Sequence, residues 1–293
     1  SDVHSNCERR LRRGVTQGKG LCVLSGPPGT GKTMMLRHLF ESLDEETTEA
    51  CLLVPVPGIS DGDWVLRRFA AQLGVQPIPA DRGDVLAKVY EALAEVREEG
   101  RQAVLMIDEA QVLADGAALG ELRGLLNLEY DDRRLLTVIL AGLAELETGL
   151  AAEPGLMERV EISVRLAEMD ANTSGFYLTH RMRASGGNPA ILESGAQKRL
   201  IEHGRGNPRR LNILADNALF EAYLEGRLAA TEADIEKASA ELELAYAPTT
   251  SQPDLFSPGG VSTLDLTTLP DDDVDEDEVP TGEFSAEDLV PKE

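Results

Sequence analysis

The stretch Gly26-Pro-Pro-Gly-Thr-Gly-Lys32-Thr33 fits the pattern GxxxxGK(S/T) at every fixed position. It follows the apolar run 20–25 and precedes a segment, 34–43, whose apolar residues recur at helical spacing. Glycines let successive backbone N–H groups turn toward one anion, and the helix that follows adds the positive end of its dipole. The stretch therefore predicts a phosphate-binding loop between a buried strand and a helix.

An acidic pair supplies the partner that such a loop needs. The apolar run 102–107 ends in Asp108-Glu109, about 75 residues after the loop. Lys32 is expected to reach the β- and γ-phosphates of a nucleoside triphosphate, while Thr33 and, through water, Asp108 are expected to hold Mg²⁺. Glu109 is then the candidate general base for an attacking water. Together the two motifs predict hydrolysis of a nucleoside triphosphate.

Two arginines are candidates for stabilising the remaining charge. Arg209, in Gly206-Asn-Pro-Arg209, opens a predicted helix and could reach the γ-phosphate. Arg159 precedes a predicted strand and could enter the site of a neighbouring subunit. For both, the alternative is an ordinary surface salt bridge. The predicted catalytic residues are Glu109, Lys32, Arg209 and Arg159. The predicted nucleotide-binding residues are Gly26, Pro27, Pro28, Gly29, Thr30, Gly31, Lys32, Thr33, Asp108 and Arg209.

The hydrophobic pattern indicates how the chain is organised. The predicted strands are 20–25, 51–56, 102–107, 135–141 and 160–166, and the predicted helices between them are 34–43, 60–73, 84–99 and 117–128. Strands that are apolar throughout and alternate with helices predict an α/β fold with a parallel sheet covered on both faces. The predicted domains are a nucleotide-binding core, 1–168, a helical lid, 169–247, and a disordered acidic tail, 248–293.

Composition narrows the function classes. The chain has 293 residues and a net charge of −24, and 248–293 carries half of that charge with 13 acidic residues and one Lys. The remaining −12 on the body argues against nucleic-acid binding, although basic clusters occur at 9–13 and at 205–210. No apolar run is long enough to span a membrane, and residues 1–15 do not resemble a signal peptide. Three cysteines and four scattered histidines show no zinc-binding spacing.

These motifs resemble those of the AAA+ ATPases, and within them the secretion-ATPase group of the general secretion pathway protein A (ExeA-like) type. The resemblance runs from about His4 to Tyr246. The stretches GPPGTGKT, VLMIDEAQVL, ELRGLLNLEYD and GNPRRLNILADNAL are similar to the Walker A, Walker B, post-Walker-B helix and sensor-2 segments of that group. It implies ATP and Mg²⁺ as cofactors, a sensor-2 role for Arg209, and a trans arginine finger at Arg159. Gln111 follows the DEAQ signature of the group.

The chain departs from the group in three places. Leu143 stands where the group has a polar residue, which predicts slow turnover. The segment before the phosphate-binding loop, which in the group contacts adenine, is expected to be short or missing. Finally, an acidic tail stands where secretion members continue into a membrane span, so a role in carrying an activity across the membrane is not expected.

The leading functional expectation is a cytoplasmic ATPase, peripheral to the inner membrane, that uses nucleotide-dependent homo-oligomerisation to organise protein partners of a secretion or pilus machine. One alternative is a DNA-bound platform of the transposition-helper type, which would assemble on duplex DNA. A second alternative is an ATP switch with little turnover, suggested by Leu143. The tail is interpreted as a solubilising extension or as an arm that recognises a basic partner.

Overall fold

Alternating strand residues point to opposite sides of one sheet, so that both of its faces require cover. In the computed structural model, which describes residues 2–58, 61–114 and 117–246, Leu21 and Val23 pack on one face and Cys22 and Leu24 on the other. The same alternation holds for 103–107. The predicted parallel sheet with helices on both faces is thereby confirmed.

The main sheet has five parallel strands in the order β2-β3-β6-β1-β7. A separate two-stranded hairpin, β4-β5, precedes β6. The strand bounds are β1 Leu21–Ser25, β2 Thr48–Leu53, β3 Gln102–Ile107, β4 Glu129–Tyr130, β5 Arg133–Arg134, β6 Leu136–Gly142 and β7 Val160–Arg165.

Helices cover each face of the sheet. The bounds of those around the sheet are α1 Asp2–Thr16, α2 Lys32–Glu41, α3 Gly62–Gln72, α4 Arg82–Glu98, α5 Ala117–Leu125, α6 Ala144–Ala152 and α7 Pro154–Met157. The first two pack on the face of Cys22, and the others on the face of Leu21. A 3₁₀ turn, Ala110–Leu113, directly follows the acidic pair at the end of β3.

Four further helices pack around an apolar cluster of their own, with Leu178, Leu200, Leu211 and Ile235 at its centre. Their bounds are α8 Ala171–Ala184, α9 Ser194–Gly204, α10 Pro208–Leu224 and α11 Glu232–Tyr246, and a 3₁₀ turn, Pro189–Ile191, lies between α8 and α9. Residues Ser1–Tyr246 form one compact unit. The predicted division at 168/169 stays a prediction, and the predicted tail, 248–293, lies outside the described residues.

Helix α1 has no counterpart in the sequence prediction. Its buried residues Cys7, Leu11 and Val15 recur every four residues and form the stripe that packs on the sheet. The arginines between them dominate the composition of the segment and conceal this stripe. Residues 2–16, ahead of β1, thus form a helix of 15 residues. The expectation that the adenine-contacting segment is short or missing stays a prediction.

Most predicted elements are shifted by one to three residues, and for two of them the physical reason is clear. The strand predicted at 51–56 is Thr48–Leu53, because Pro55 has no N–H to donate to a ladder. The helix predicted at 117–128 ends at Leu125, and the hairpin follows, with Asp131 and Asp132 in the left-handed conformation that a tight turn requires.

Helix α3 begins at Gly62, two residues later than predicted. Asp61 caps it by accepting a hydrogen bond from Trp64 N at 2.8 Å. Ser60, the first residue of the predicted helix 60–73, lies outside the described residues. Within the described ranges, no helix combines the length and the apolar character needed to cross a membrane.

Candidate nucleotide site

The candidate site lies where three neighbouring strands end. The phosphate-binding loop follows β1, the acidic pair follows β3, and Leu143 follows β6, which lies between those two strands. Because the strands are parallel, their carboxyl ends meet at one edge, which is where open α/β sheets bind ligands.

The loop conformation requires glycine. Gly26, Gly29 and Gly31 have φ angles of 155°, 79° and 102°. A Cβ atom at Gly26 would lie 2.4 Å from Leu166 O, and one at Gly29 would lie 2.6 Å from Asn207 Oδ1. A side chain at either position would therefore clash with the surrounding structure. The turns leave the loop backbone open toward the start of α2, as phosphate binding requires.

Lys32 is the first residue of α2, and its amine lies inside the loop. The side chain is buried, and Nζ donates hydrogen bonds to Gly26 O and Pro27 O, both at 2.8 Å. Burial lowers the pKa of Lys32, while the nearby carboxylates of Glu109 and Asp108 oppose that shift. The amine thus donates to two carbonyl oxygens of the loop, in position to exchange them for phosphate oxygens.

The acidic pair is held by the end of β3. Asp108 is buried, and its Oδ1 accepts a hydrogen bond from Glu109 N at 3.0 Å. Glu109 has φ 51° and ψ 36°, a left-handed conformation that is costly for a residue with a side chain. Such conformations persist where the surroundings hold them, and they are concentrated at functional sites.

A cavity of 450 Å³ joins these groups. Lys32, Thr33 and Glu109 line it, together with Leu143 and Arg209. The remaining lining residues are Pro28, Gly29, Gly31, Met34, Tyr177, Pro208, Asn212 and Ile213. The cavity thus combines the loop, the ends of β3 and β6, and the helices α8 and α10.

The residues present fit a magnesium ion. Thr33 lines the cavity at the start of α2, and the buried carboxylate of Asp108 lies at the same sheet edge. Hydroxyl and carboxylate oxygens are the ligands that Mg²⁺ prefers, with phosphate oxygens and water completing its shell. Thr33 and Asp108 are therefore the residues that would hold the ion beside a bound triphosphate.

Arg209 lies at the site, at the start of α10. Its backbone N–H donates to Gly29 O at 3.3 Å, and its side chain lines the cavity. The structure therefore brings Arg209 together with Lys32 and Glu109.

Arg159 is elsewhere. Its guanidinium donates to Gly155 O and to Asn127 Oδ1, the latter at 2.6 Å, and it does not line the cavity. The chain does not bring Arg159 to its own nucleotide site.

Two contacts to the loop were missed by sequence reasoning. Asn207 Nδ2 donates to Pro28 O at 2.8 Å, while its Oδ1 accepts from Arg210 N at 3.2 Å and caps α10. An Asn before a Pro at a helix start is a capping signal, so the sequence indicates the capping role of Asn207 but not its contact with the loop. His4 Nε2, on α1, lies 3.1 Å from Thr30 O, and no signal in the sequence indicated that contact.

Comparison with known proteins agrees with this geometry. Residues 13–150 match the AAA domain family. General secretion pathway protein A of Aeromonas hydrophila is 30% identical over 249 residues, which make up 83% of this chain and 44% of that relative. The chain has a P-loop NTPase fold, and its residues 13–150 are similar to the AAA domain family. It spans less than half the length of that relative.

Solved structures extend the similarity at the level of the fold. The ORC2 protein of Aeropyrum pernix, solved as ADPNP–ADP complexes, superposes with a TM-score of 0.64 at 17% identity, over 83% of this chain and 68% of that one. Cdc6p from Pyrobaculum aerophilum gives 0.66 at 19% identity, over 81% and 66%. At such identities the likeness concerns the arrangement of helices and strands alone.

Proposed function

We propose that this P-loop NTPase binds ATP with Mg²⁺ and hydrolyses it. The observation that carries the proposal is the cavity that gathers Lys32 and Thr33 of α2, Glu109 after β3 and Arg209 of α10, from three separate elements. In that arrangement Lys32 and the loop N–H groups bind the β- and γ-phosphates, and Thr33 and Asp108 hold the metal. Glu109 accepts a proton from the attacking water, and Arg209 stabilises charge on the γ-phosphate.

The experiment compares nucleotide binding with phosphate release. Lys32→Ala should weaken binding of a fluorescent ATP analogue at least about tenfold, because it removes the cation at the phosphates. Glu109→Gln should bind with unchanged affinity but release phosphate about a hundredfold more slowly. Lys198→Ala, which removes an exposed lysine on α9, is the matched control and should leave both unchanged. Phosphate release by Glu109→Gln at the wild-type rate would refute Glu109 as the base.

We infer further that nucleotide binding drives homo-oligomerisation, and that the oligomer organises partners of a secretion or pilus machine at the inner membrane, on the cytoplasmic side. The support is the 30% identity to a protein of a secretion pathway and the position of Arg159 outside its own site. Light scattering of Glu109→Gln tests the first step: a larger species is expected with ATP and not with ADP. The same mass in both nucleotides would contradict it.

A DNA-bound platform is the second candidate function. Helix α1 exposes Arg9, Arg10 and Arg13, whereas Arg12 is paired with Glu8. The test is duplex-DNA binding by Glu109→Gln with Mg-ATP at two salt concentrations. Tight binding that requires ATP and weakens steeply with salt would favour this function, because counterion release governs phosphate contacts. No binding of DNA at low salt would favour the ATPase that organises protein partners.

The third candidate function is a nucleotide switch with little turnover. The rate of ATP hydrolysis alone distinguishes it from an active ATPase. Leu143 lines the cavity at the end of β6, and its side chain offers no hydrogen bond to phosphate or water. Intact ATP after many minutes on the protein would favour the switch, and release of several phosphates per minute would exclude it.

A further inference from the structure

Gln111 makes a two-sided contact beside the general base. It lies in the 3₁₀ turn that follows the acidic pair, two residues after Glu109. Its Nε2 donates to Glu109 Oε2 at 2.6 Å, and its Oε1 accepts from Leu143 N at 3.1 Å. One amide therefore links the carboxylate at the end of β3 to the backbone at the end of β6.

The surrounding backbone leaves a fitted space for this amide. A Cβ atom at Gly142, the last residue of β6, would lie 2.8 Å from Gln111 Oε1 and 2.9 Å from Leu146 Cδ2. Glycine at 142 thus lets the amide approach the strand end closely enough to accept from Leu143 N. The left-handed backbone of Glu109 turns the chain so that its side chain and that of Gln111 meet.

Gln111 acts from behind the site. Glu109 and Leu143 line the nucleotide cavity, whereas Gln111 is not among its lining residues. Because Oε2 of Glu109 accepts the amide hydrogen bond, rotation of the carboxylate is restricted, and Oε1 takes no part in this contact. The same amide accepts a hydrogen bond from the backbone of Leu143, so it connects the strand end to the base.

We propose that Gln111 is a positioning residue for hydrolysis, which orients the carboxylate of Glu109 and couples it to the end of β6. The inference rests on the proposed ATP hydrolysis and deepens it. It also gives Leu143 a function: its backbone N–H anchors the amide at a position where its side chain cannot bind polar groups. Gln111 touches neither nucleotide nor water in this role, so it affects the chemical step and leaves nucleotide binding unchanged.

The test separates kcat from KM. Gln111→Met keeps the length of the side chain and removes both hydrogen bonds, and Gln111→Asn keeps the amide but is one methylene too short to span both partners. Each should lower kcat about tenfold to a hundredfold, as expected when a reacting group is misplaced by about 1 Å. KM and the Kd for a fluorescent ATP analogue should stay within about twofold, which also shows that the variants are folded.

A second measurement distinguishes positioning from a purely structural role. In a Glu109→Gln background, where the carboxylate is absent, Gln111→Met should cause no further loss of residual activity. An equal loss in both backgrounds would overturn the proposal, as would unchanged or raised kcat in the single variants. Wild-type protein without turnover would refute the proposed hydrolysis and this role together. If the wild type hydrolyses ATP and Gln111→Met does so at the same rate, only this role of Gln111 would be refuted.

Discussion

At the scale of single residues, Glu161 shows how one carboxylate joins three segments. On β7, it accepts a hydrogen bond from Gly20 N at 2.9 Å and pairs with Lys19 Nζ at 2.9 Å and with Arg134 of the hairpin. Partial burial by itself would raise the pKa of Glu161, but these hydrogen bonds outweigh it and lower the pKa to about 2. The folded protein therefore stabilises the ionised carboxylate of Glu161 more than the unfolded chain does.

We therefore expect Glu161→Gln to lower the free energy of unfolding by about 1 kcal/mol at pH 7, a value reduced for solvent screening. Because the folded pKa lies below the unfolded value, this contribution is complete above about pH 4.5. It disappears as the pH falls toward 2. Urea unfolding of both proteins at pH 7, 4 and 3 measures the difference. Glu168→Gln, at an exposed position, is the control, and a pH-independent difference would contradict the assignment.

At the scale of elements, the start of α10 combines two functions in one residue. Asn207 caps the helix through Oδ1 and contacts the phosphate-binding loop through Nδ2, which donates to Pro28 O. The adjacent Arg209 N–H donates to Gly29 O. The start of α10 therefore contacts both the loop and the cavity. Through these contacts, a nucleotide bound in the cavity would affect the position of α10.

Two substitutions separate those functions. Asn207→Asp keeps an oxygen that can cap α10 but removes the donor to Pro28 O, so the free energy of unfolding should change by less than about 0.5 kcal/mol while ATP binding weakens several-fold. Asn207→Ala removes both contacts and should also cost about 1 kcal/mol of stability. Urea unfolding and nucleotide titration measure the two effects. Equal ATP affinity in wild type and Asn207→Asp would show that the loop contact has no role in binding.

At the scale of the whole molecule, the proposed trans role of Arg159 requires that the site be completed between subunits. Arg159 contacts Asn127 and Gly155 and does not line the cavity that holds Lys32 and Glu109. A cation that acts on the γ-phosphate must reach it, so a catalytic Arg159 has to serve the site of a neighbouring copy. Hydrolysis would then depend on assembly.

Mixing two inactive variants tests this directly. Arg159→Ala should bind ATP normally but release phosphate about a hundredfold more slowly, as expected for loss of an arginine finger. Glu109→Gln is inactive for a different reason and keeps its own Arg159. In mixed oligomers, an intact Glu109 from one subunit meets an intact Arg159 from the other, so activity should return. Mixed oligomers that form without any recovered phosphate release would contradict the trans role.

The sequence alone determined the parts of this protein whose physics is local. A phosphate-binding loop works through its own backbone, so GPPGTGKT identified Lys32 and Thr33 without any knowledge of the fold. Apolar runs predicted the inner strands of the main sheet, because a strand buried on both faces must be apolar throughout. The edge strand β7 was also predicted, although its buried and exposed residues alternate. The acidic pair was recognised because it directly follows such a run.

Only the tertiary structure decided which of these parts meet. The order β2-β3-β6-β1-β7 places the end of β6 between the loop and the acidic pair, and this is why Gln111 can bond to Leu143, 32 residues away. The tertiary structure also packs α1 against the sheet, and it brings Asn207 into contact with Pro28 of the loop, 179 residues away in the sequence. Side-chain hydrogen bonds act over about 3 Å, and the spacing of residues along a chain does not specify which distant strands and helices become neighbours.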